Sequence, residues 1–105
     1  MIFRETRNFT KRLISLLNDA DYSRLQMALV RNPAAGAIIE GSGGIRKLRW
    51  SLPGRGKSGR GRIIYYWAVS KHVIFMLDIF AKNEKADLTK QEIKILKRVI
   101  EEESL

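Results

Sequence analysis

At 105 residues and 45% hydrophobic content, the chain has the size and composition of a single globular domain spanning residues 1–105, not of a disordered or multidomain protein. It has no cysteine and one histidine, His72, which removes disulfides, thiol nucleophiles and zinc knuckles, so no metal and no cofactor are expected. Twenty lysines and arginines against eleven acids give a net charge of +9, which points to a polyanionic partner, chiefly nucleic acid and less often anionic lipid.

Residues 2–5 read as a short first strand. Phe9, Leu13, Leu16 and Leu17 then recur at helical spacing, predicting an amphipathic helix that ends near Asn18. Asp19 and Asp21 offer N-caps for a second helix, whose apolar face is Tyr22, Leu25, Ala28 and Leu29. Asn32-Pro33 stops it, because the residue before proline is pushed out of the helical region. The short connection predicts an antiparallel helical hairpin.

The pattern then changes to period two. Residues 45–51 read as a strand with Lys47 and Arg49 on one face and Leu48 and Trp50 on the other. Residues 53–61 read as a flexible basic loop. Residues 62–69 and 72–81 are two strong strands joined by a turn at Ser70-Lys71, which predicts an antiparallel pair. Thr89 and Glu92 have the spacing of a capping box ahead of a last helix lined by Ile93, Leu96, Val99 and Ile100. The sum is an α+β fold, a small and mostly antiparallel sheet with a helical hairpin against one face. No apolar run approaches the roughly 18 residues of a membrane span. The first five residues lack the apolar core of a signal peptide, so a cytoplasmic protein without membrane contact is expected.

Charge is concentrated in the middle of the chain. Residues 41–77 contain no acid, yet they hold Arg46, Lys47, Arg49, Arg55, Lys57, Arg60, Arg62 and Lys71. Gly54, Gly56 and Gly59 match the letters of a dinucleotide-binding fingerprint, but a strand follows where a helix is required. Gly56-Lys57-Ser58 ends like a P-loop, but Ser51 stands where that loop needs its first glycine. A bending loop that follows a phosphate backbone fits the glycines better. Long cations converging on a sheet face make a phosphate-binding surface, and Tyr65, Tyr66 or Trp67 can either stack on bases or pack the core.

The sequence offers no carboxylate dyad, nucleophile triad or ligand cluster. RNA strand scission by the RNA's own 2′-OH tolerates such a composition. The substrate brings the nucleophile, and the protein aligns it, neutralises the phosphorane and manages protons.

Four segments in order carry a resemblance: residues 41–49, the Gly/Arg/Lys loop, residues 62–66, and residues 82–88. Together they resemble toxins of the RelE/HigB type in bacterial toxin–antitoxin systems, especially a HigB-like branch, over essentially the whole chain. The resemblance implies a β-α-α-β-β-β core with a C-terminal helix. It also implies entry into the A site of the 70S ribosome and metal-independent mRNA cleavage leaving a 2′,3′-cyclic phosphate and a 5′-OH. A cognate antitoxin protein is implied as the partner. Carried over, Lys47, Arg49, Arg62 and Lys82 are the catalytic candidates, and Arg46, Arg55, Lys57, Arg60, Tyr66 and Lys85 are RNA-binding candidates. Asn83 and Leu88 stand where some relatives have an arginine and a functional tyrosine, which leaves Lys47, Tyr66 and Lys85 as open alternatives for the base. The related ParE toxins share the fold and poison DNA gyrase. That alternative, and a plain RNA-binding module, remain beside the nuclease reading.

Overall fold

The structure is a computed structural model that describes residues 1–53 and 59–104. The elements follow in the order β1 (Ile2–Glu5), α1 (Arg7–Leu16), α2 (Asp19–Arg31), β2 (Ala37–Ile38), β3 (Arg46–Ser51), β4 (Arg60–Ala68), β5 (Val73–Ala81) and α3 (Lys90–Ser104). The five strands form one sheet in the order β1-β5-β4-β3-β2. Only the β1–β5 pairing is parallel; the other three are antiparallel. This is the α+β fold the sequence predicts, with one strand the pattern did not reveal. β2 is two exposed residues, too short to show any alternation.

Local chemistry sets the helix ends. Thr6 caps α1, its hydroxyl accepting from the Phe9 N–H at 3.1 Å and donating to the Leu77 carbonyl at 2.8 Å. One side chain thus starts the helix and fastens it to β5. The cap of α2 is Asn18, which accepts from the Asp21 N–H at 2.8 Å. Asp19 and Asp21, expected as caps, lie instead in the first turn, where their charge suits the helix dipole. The capping box of α3 forms as expected, with Thr89 N–H to Glu92 at 2.8 Å and Glu92 N–H to Thr89 at 3.1 Å. Between β4 and β5 the chain makes a 3-10 turn, Val69–Lys71, and His72 takes a left-handed φ of 54°. Val69 and His72, expected as strand ends, are therefore turn residues.

The helical hairpin covers one face of the sheet and α3 the other. Phe9, Leu16, Leu17, Leu25 and Leu29 pack with Ile63, Tyr65, Ile74, Met76 and Ile79 on the hairpin side. On the α3 side, Leu96 and Ile100 pack with Ile45, Ile64, Phe75, Leu77 and Phe80. Covering on both faces explains why β5 is buried along all nine residues and reads as an unbroken apolar run. Among the described residues no helix is long and apolar enough to cross a membrane.

One polar device and one glycine shape the sheet ends. The buried Tyr65 hydroxyl donates to the Pro33 carbonyl and accepts from the Gly36 N–H, both at 2.8 Å, which pins the connection from α2 to β2. Gly44, at φ +106° two residues before β3, has the Tyr66 ring against it: a Cβ there would lie 3.2 Å from the ring.

A bulge in β5 places Leu77 between the partners of Ile64 and Tyr65 and turns Asp78 into the seam between α1 and α3. There the carboxylate accepts from Ile79 N–H at 2.8 Å and Asn8 at 3.4 Å, with Arg12 at 3.6 Å. Burial pushes the Asp78 carboxyl above its ordinary value of 3.8, and Arg12, the Ile79 N–H and Lys85 offset only part of that. A raised carboxyl costs stability when ionised, so the cost develops as pH rises from 3.8 through the native value. Asp78→Asn should therefore be more stable than the parent at pH 7, with the gain shrinking as pH falls towards 3.8. Urea unfolding at both pH values checks this. A variant less stable at pH 7 would mean that the Arg12 ion pair outweighs the desolvation.

Candidate active site

α3 covers only part of its face of the sheet. Where β3 and β4 run past it, an open cleft of about 460 Å³ is lined by Arg49, Arg60, Arg62 and Lys82, with the Trp50–Ser51 and Gly59–Gly61 backbone around them. The strand alternation dictates who shares this face. Lys47 and Arg49 point to it from β3, and Arg60, Arg62, Ile64 and Tyr66 from β4. Arg49 and Arg62 are direct cross-strand partners. Like charges placed opposite each other destabilise a sheet, so the pair is poor for folding and well arranged for an anion.

Arg62 is the anchored member, with only 8% of its surface exposed. One of its guanidinium nitrogens donates to the Gly61 carbonyl at 3.1 Å. Gly61 itself is needed for the close approach of β4 to Leu52, since a Cβ would sit 2.8 Å from the Leu52 Cγ. The glycine thus lets the strand settle so that Arg60 and Arg62 flank the cleft. Lys82 follows the last residue of β5. Its N–H donates to the Arg60 carbonyl at 2.9 Å, which extends the β4–β5 ladder by one step and carries the side chain to the cleft wall.

Lys47 lies on the same face at the rim, with its Nζ 2.9 Å from Asp87. The other Asp87 oxygen accepts from the Leu88 N–H at 2.8 Å. The Lys47 hydrogen bond above all, helped by the Leu88 N–H and the Arg62 charge, holds the Asp87 carboxyl below its ordinary value of 3.8. Asp87 therefore stays ionised and is a weak proton acceptor near neutrality. Sequence reasoning passed over this carboxylate. Its only signal was its place in the 82–88 segment, forty residues from the lysine it meets.

The remaining candidates divide. Arg46 points to the opposite face, where its guanidinium donates to the carbonyls of Gly36 at 2.8 Å and Ala34 at 3.2 Å. It braces the same turn that Tyr65 pins and is not brought to the cleft. Tyr66 lies on the cleft's face but further along β4, half-buried with its ring 6.5 Å from Phe75. Lys85 is ion-paired with Glu92 and lies 5.3 Å above the Phe80 ring. Arg55 and Lys57 fall outside the described residues.

What the arrangement offers is an open, water-accessible trough with four cations, one of them nearly buried. Such a trough can grip a phosphodiester and stabilise extra negative charge on it.

The profile of a family described as the RelE toxin of the RelE/RelB toxin–antitoxin system matches residues 5–103. Two solved structures share the fold. One is a mutant of the E. coli toxin RelE in the free state, 17% identical, with a TM-score of 0.56 over 81% of this chain and 86% of that one. The other is the intact E. coli RelBE toxin–antitoxin complex, 19% identical, with a TM-score of 0.54 over 76% of this chain and 94% of the matched chain. At these identities the structural likeness establishes the fold, while the family profile spans nearly the whole sequence. The chain belongs to the RelE toxin family.

Proposed function

We propose that the chain is a metal-independent endoribonuclease that cuts mRNA in the ribosomal A site and so stops translation. The observation that carries this reading is the cross-strand Arg49–Arg62 pair in one open cleft with Arg60 and Lys82. In the proposed reaction the 2′-OH of the substrate attacks the adjacent phosphorus and loses its proton. The P–O5′ bond breaks, and the 5′-oxygen takes up a proton as it leaves. The products are a 2′,3′-cyclic phosphate and a 5′-OH.

Arg62 holds the phosphorane oxygens through its planar fork, whose direction the Gly61 carbonyl fixes. Arg49 shares that charge from the neighbouring strand, and Lys82 stands at the wall to stabilise or protonate the leaving oxygen. Arg60 grips the flanking backbone, with the loop cations Arg55 and Lys57 in the same role. Of the three base candidates, Lys47 is two residues from Arg49 on the same face, and to act as a base it must leave its ion pair with Asp87. Lys85 is engaged by Glu92, and Tyr66 is half-buried against Phe75. The ribosome supplies the remaining alignment, which fits a cleft too open to hold a single strand rigidly.

The E. coli neighbour is a toxin solved with its antitoxin. For this chain we infer a cognate antitoxin with an acidic or amphipathic segment, attracted by the +9 charge and the exposed cations. Its place of action is the cytoplasm, where ribosomes translate.

Brief induction in cells followed by mapping of transcript ends tests the reading. Cuts within translated codons, and growth restored by co-expressing a small neighbouring open reading frame, are the expected results. DNA breaks without transcript cuts would assign a gyrase-poisoning activity instead. Neither toxicity nor rescue would remove the toxin assignment for this member.

A further inference from the structure

β2 pairs only with Arg46 and Lys47, so among the described residues the outer edge of β3 over residues 48–51 has no strand beside it. Beyond that edge, on the hairpin side of the sheet, lies a second groove of about 600 Å³. Its wall is one stripe of α2, with Arg24, Met27 and Arg31 at helical spacing, and its other wall is Trp50. Met27 is 51% exposed, and Arg31 has no ion-pair partner among the described residues. Trp50 lines both this groove and the cleft, so the two adjoin at the open edge of β3.

We propose that this groove is a second RNA subsite, which takes the nucleotides flanking the scissile phosphate as the single strand passes over β3 at Trp50. The inference rests on the cleavage reading. An indole and a thioether between two guanidinium groups match what single-stranded RNA presents, which is flat apolar bases alternating with phosphates. Arg31, unpaired among the described residues, grips a phosphate, while Arg24, seven residues away and about 10 Å along the helix axis, is ion-paired with Asp21 and adds only a partly neutralised charge. A docking protein helix would instead need a continuous apolar stripe, and here arginine closes the stripe at both ends. The cleft alone holds only a few nucleotides, so the groove adds affinity that depends on strand length.

The test is fluorescence anisotropy with labelled 2′-O-methyl oligouridines of 4 and 12 nucleotides, which lack the nucleophile and remain uncut. The wild type should bind the 12-mer more tightly than the 4-mer. In Arg31→Glu and Trp50→Ala this ratio should fall about tenfold, the scale of one lost stacking or phosphate contact. Arg31→Glu should also lower the salt slope for the 12-mer by about one. Arg49→Glu, in the cleft, should weaken both lengths. Should Trp50→Ala unfold, the exposed Arg31 still decides the matter.

A ratio within twofold of the parent in Arg31→Glu, or a wild type indifferent to length, overturns the inference. So does an Arg31→Glu protein that keeps the ratio but loses its antitoxin, which would give the groove to a protein partner. Wild-type cleavage on programmed ribosomes is measured alongside. Cleavage with an unaltered ratio removes the groove alone, whereas absent cleavage removes the nuclease reading.

Discussion

Arg62→Ala should lower single-turnover cleavage on programmed ribosomes by roughly 10²–10³, the usual loss when one oriented donor to a developing oxyanion is removed. The size follows from the setting. Arg62 is nearly buried, its guanidinium is oriented by the Gly61 carbonyl, and a second arginine faces it across the ladder. Charge that grows in the transition state is met by a donor already in place. Arg62→Lys keeps the charge but loses the fork, so it should recover only a small part of the rate. Arg60→Ala, from a more exposed position, should change binding and its salt dependence more than the chemical step. Stability should move the other way from activity, since relieving the Arg49–Arg62 repulsion leaves unfolding of Arg62→Ala no easier than that of the parent. A folded, ribosome-binding Arg62→Ala that cuts within about threefold of wild type contradicts the assignment.

The second large effect is on the fold. Phe9→Ala should destabilise the protein by about 3–5 kcal/mol, because an aromatic deletion in a closed core leaves a cavity that its neighbours only partly fill. Phe9 has no exposed surface and sits at the centre of the hairpin-side core, with its ring 5.8 Å from Tyr22. In a domain of this size such a loss lowers Tm by about 12 °C or more. Ile14→Ala, on the outer side of the same helix and 80% exposed, should change stability by less than about 0.5 kcal/mol. Thermal and urea unfolding of the two variants gives the comparison. A Phe9→Ala loss below about 1 kcal/mol would mean that α1 is not seated on the sheet as described.

The long elements were legible because each repeats one physical pattern. The apolar positions of α1, α2 and α3, the capping box at Thr89 and the strand alternation at residues 46–51 all point to the faces observed. β2 was not, since two exposed residues pair only because Tyr65 and Arg46 hold the preceding turn in place. The same tertiary context diverts Arg46. Its neighbours in sequence are cleft cations, but one residue's difference in register puts it on the other face. Alternation placed Arg49 on its strand face and Arg62 at the start of the next strand, whereas Arg60, read as part of the loop, proves to open β4, and Lys82 was named only through the resemblance. The Lys47–Asp87 contact was not legible, because it joins β3 to the connection before α3 and no local pattern records that meeting. Nor does period alone say that α3 stops short of the cleft; that depends on where Leu96 and Ile100 find Phe80, Phe75 and Ile45.

The central claim is that the substrate's 2′-OH is the nucleophile and the chain's cations do the rest. Purified chain, added to ribosomes programmed with end-labelled mRNA carrying either ribose or a single 2′-deoxyribose 5′ to the scissile phosphate, tests it most directly. Cleavage of the all-ribose message to a 2′,3′-cyclic phosphate and a 5′-OH, with cutting lost at the deoxy position, is the predicted result. Predominant 3′-hydroxyl ends, or undiminished cutting at the deoxy position, would contradict it.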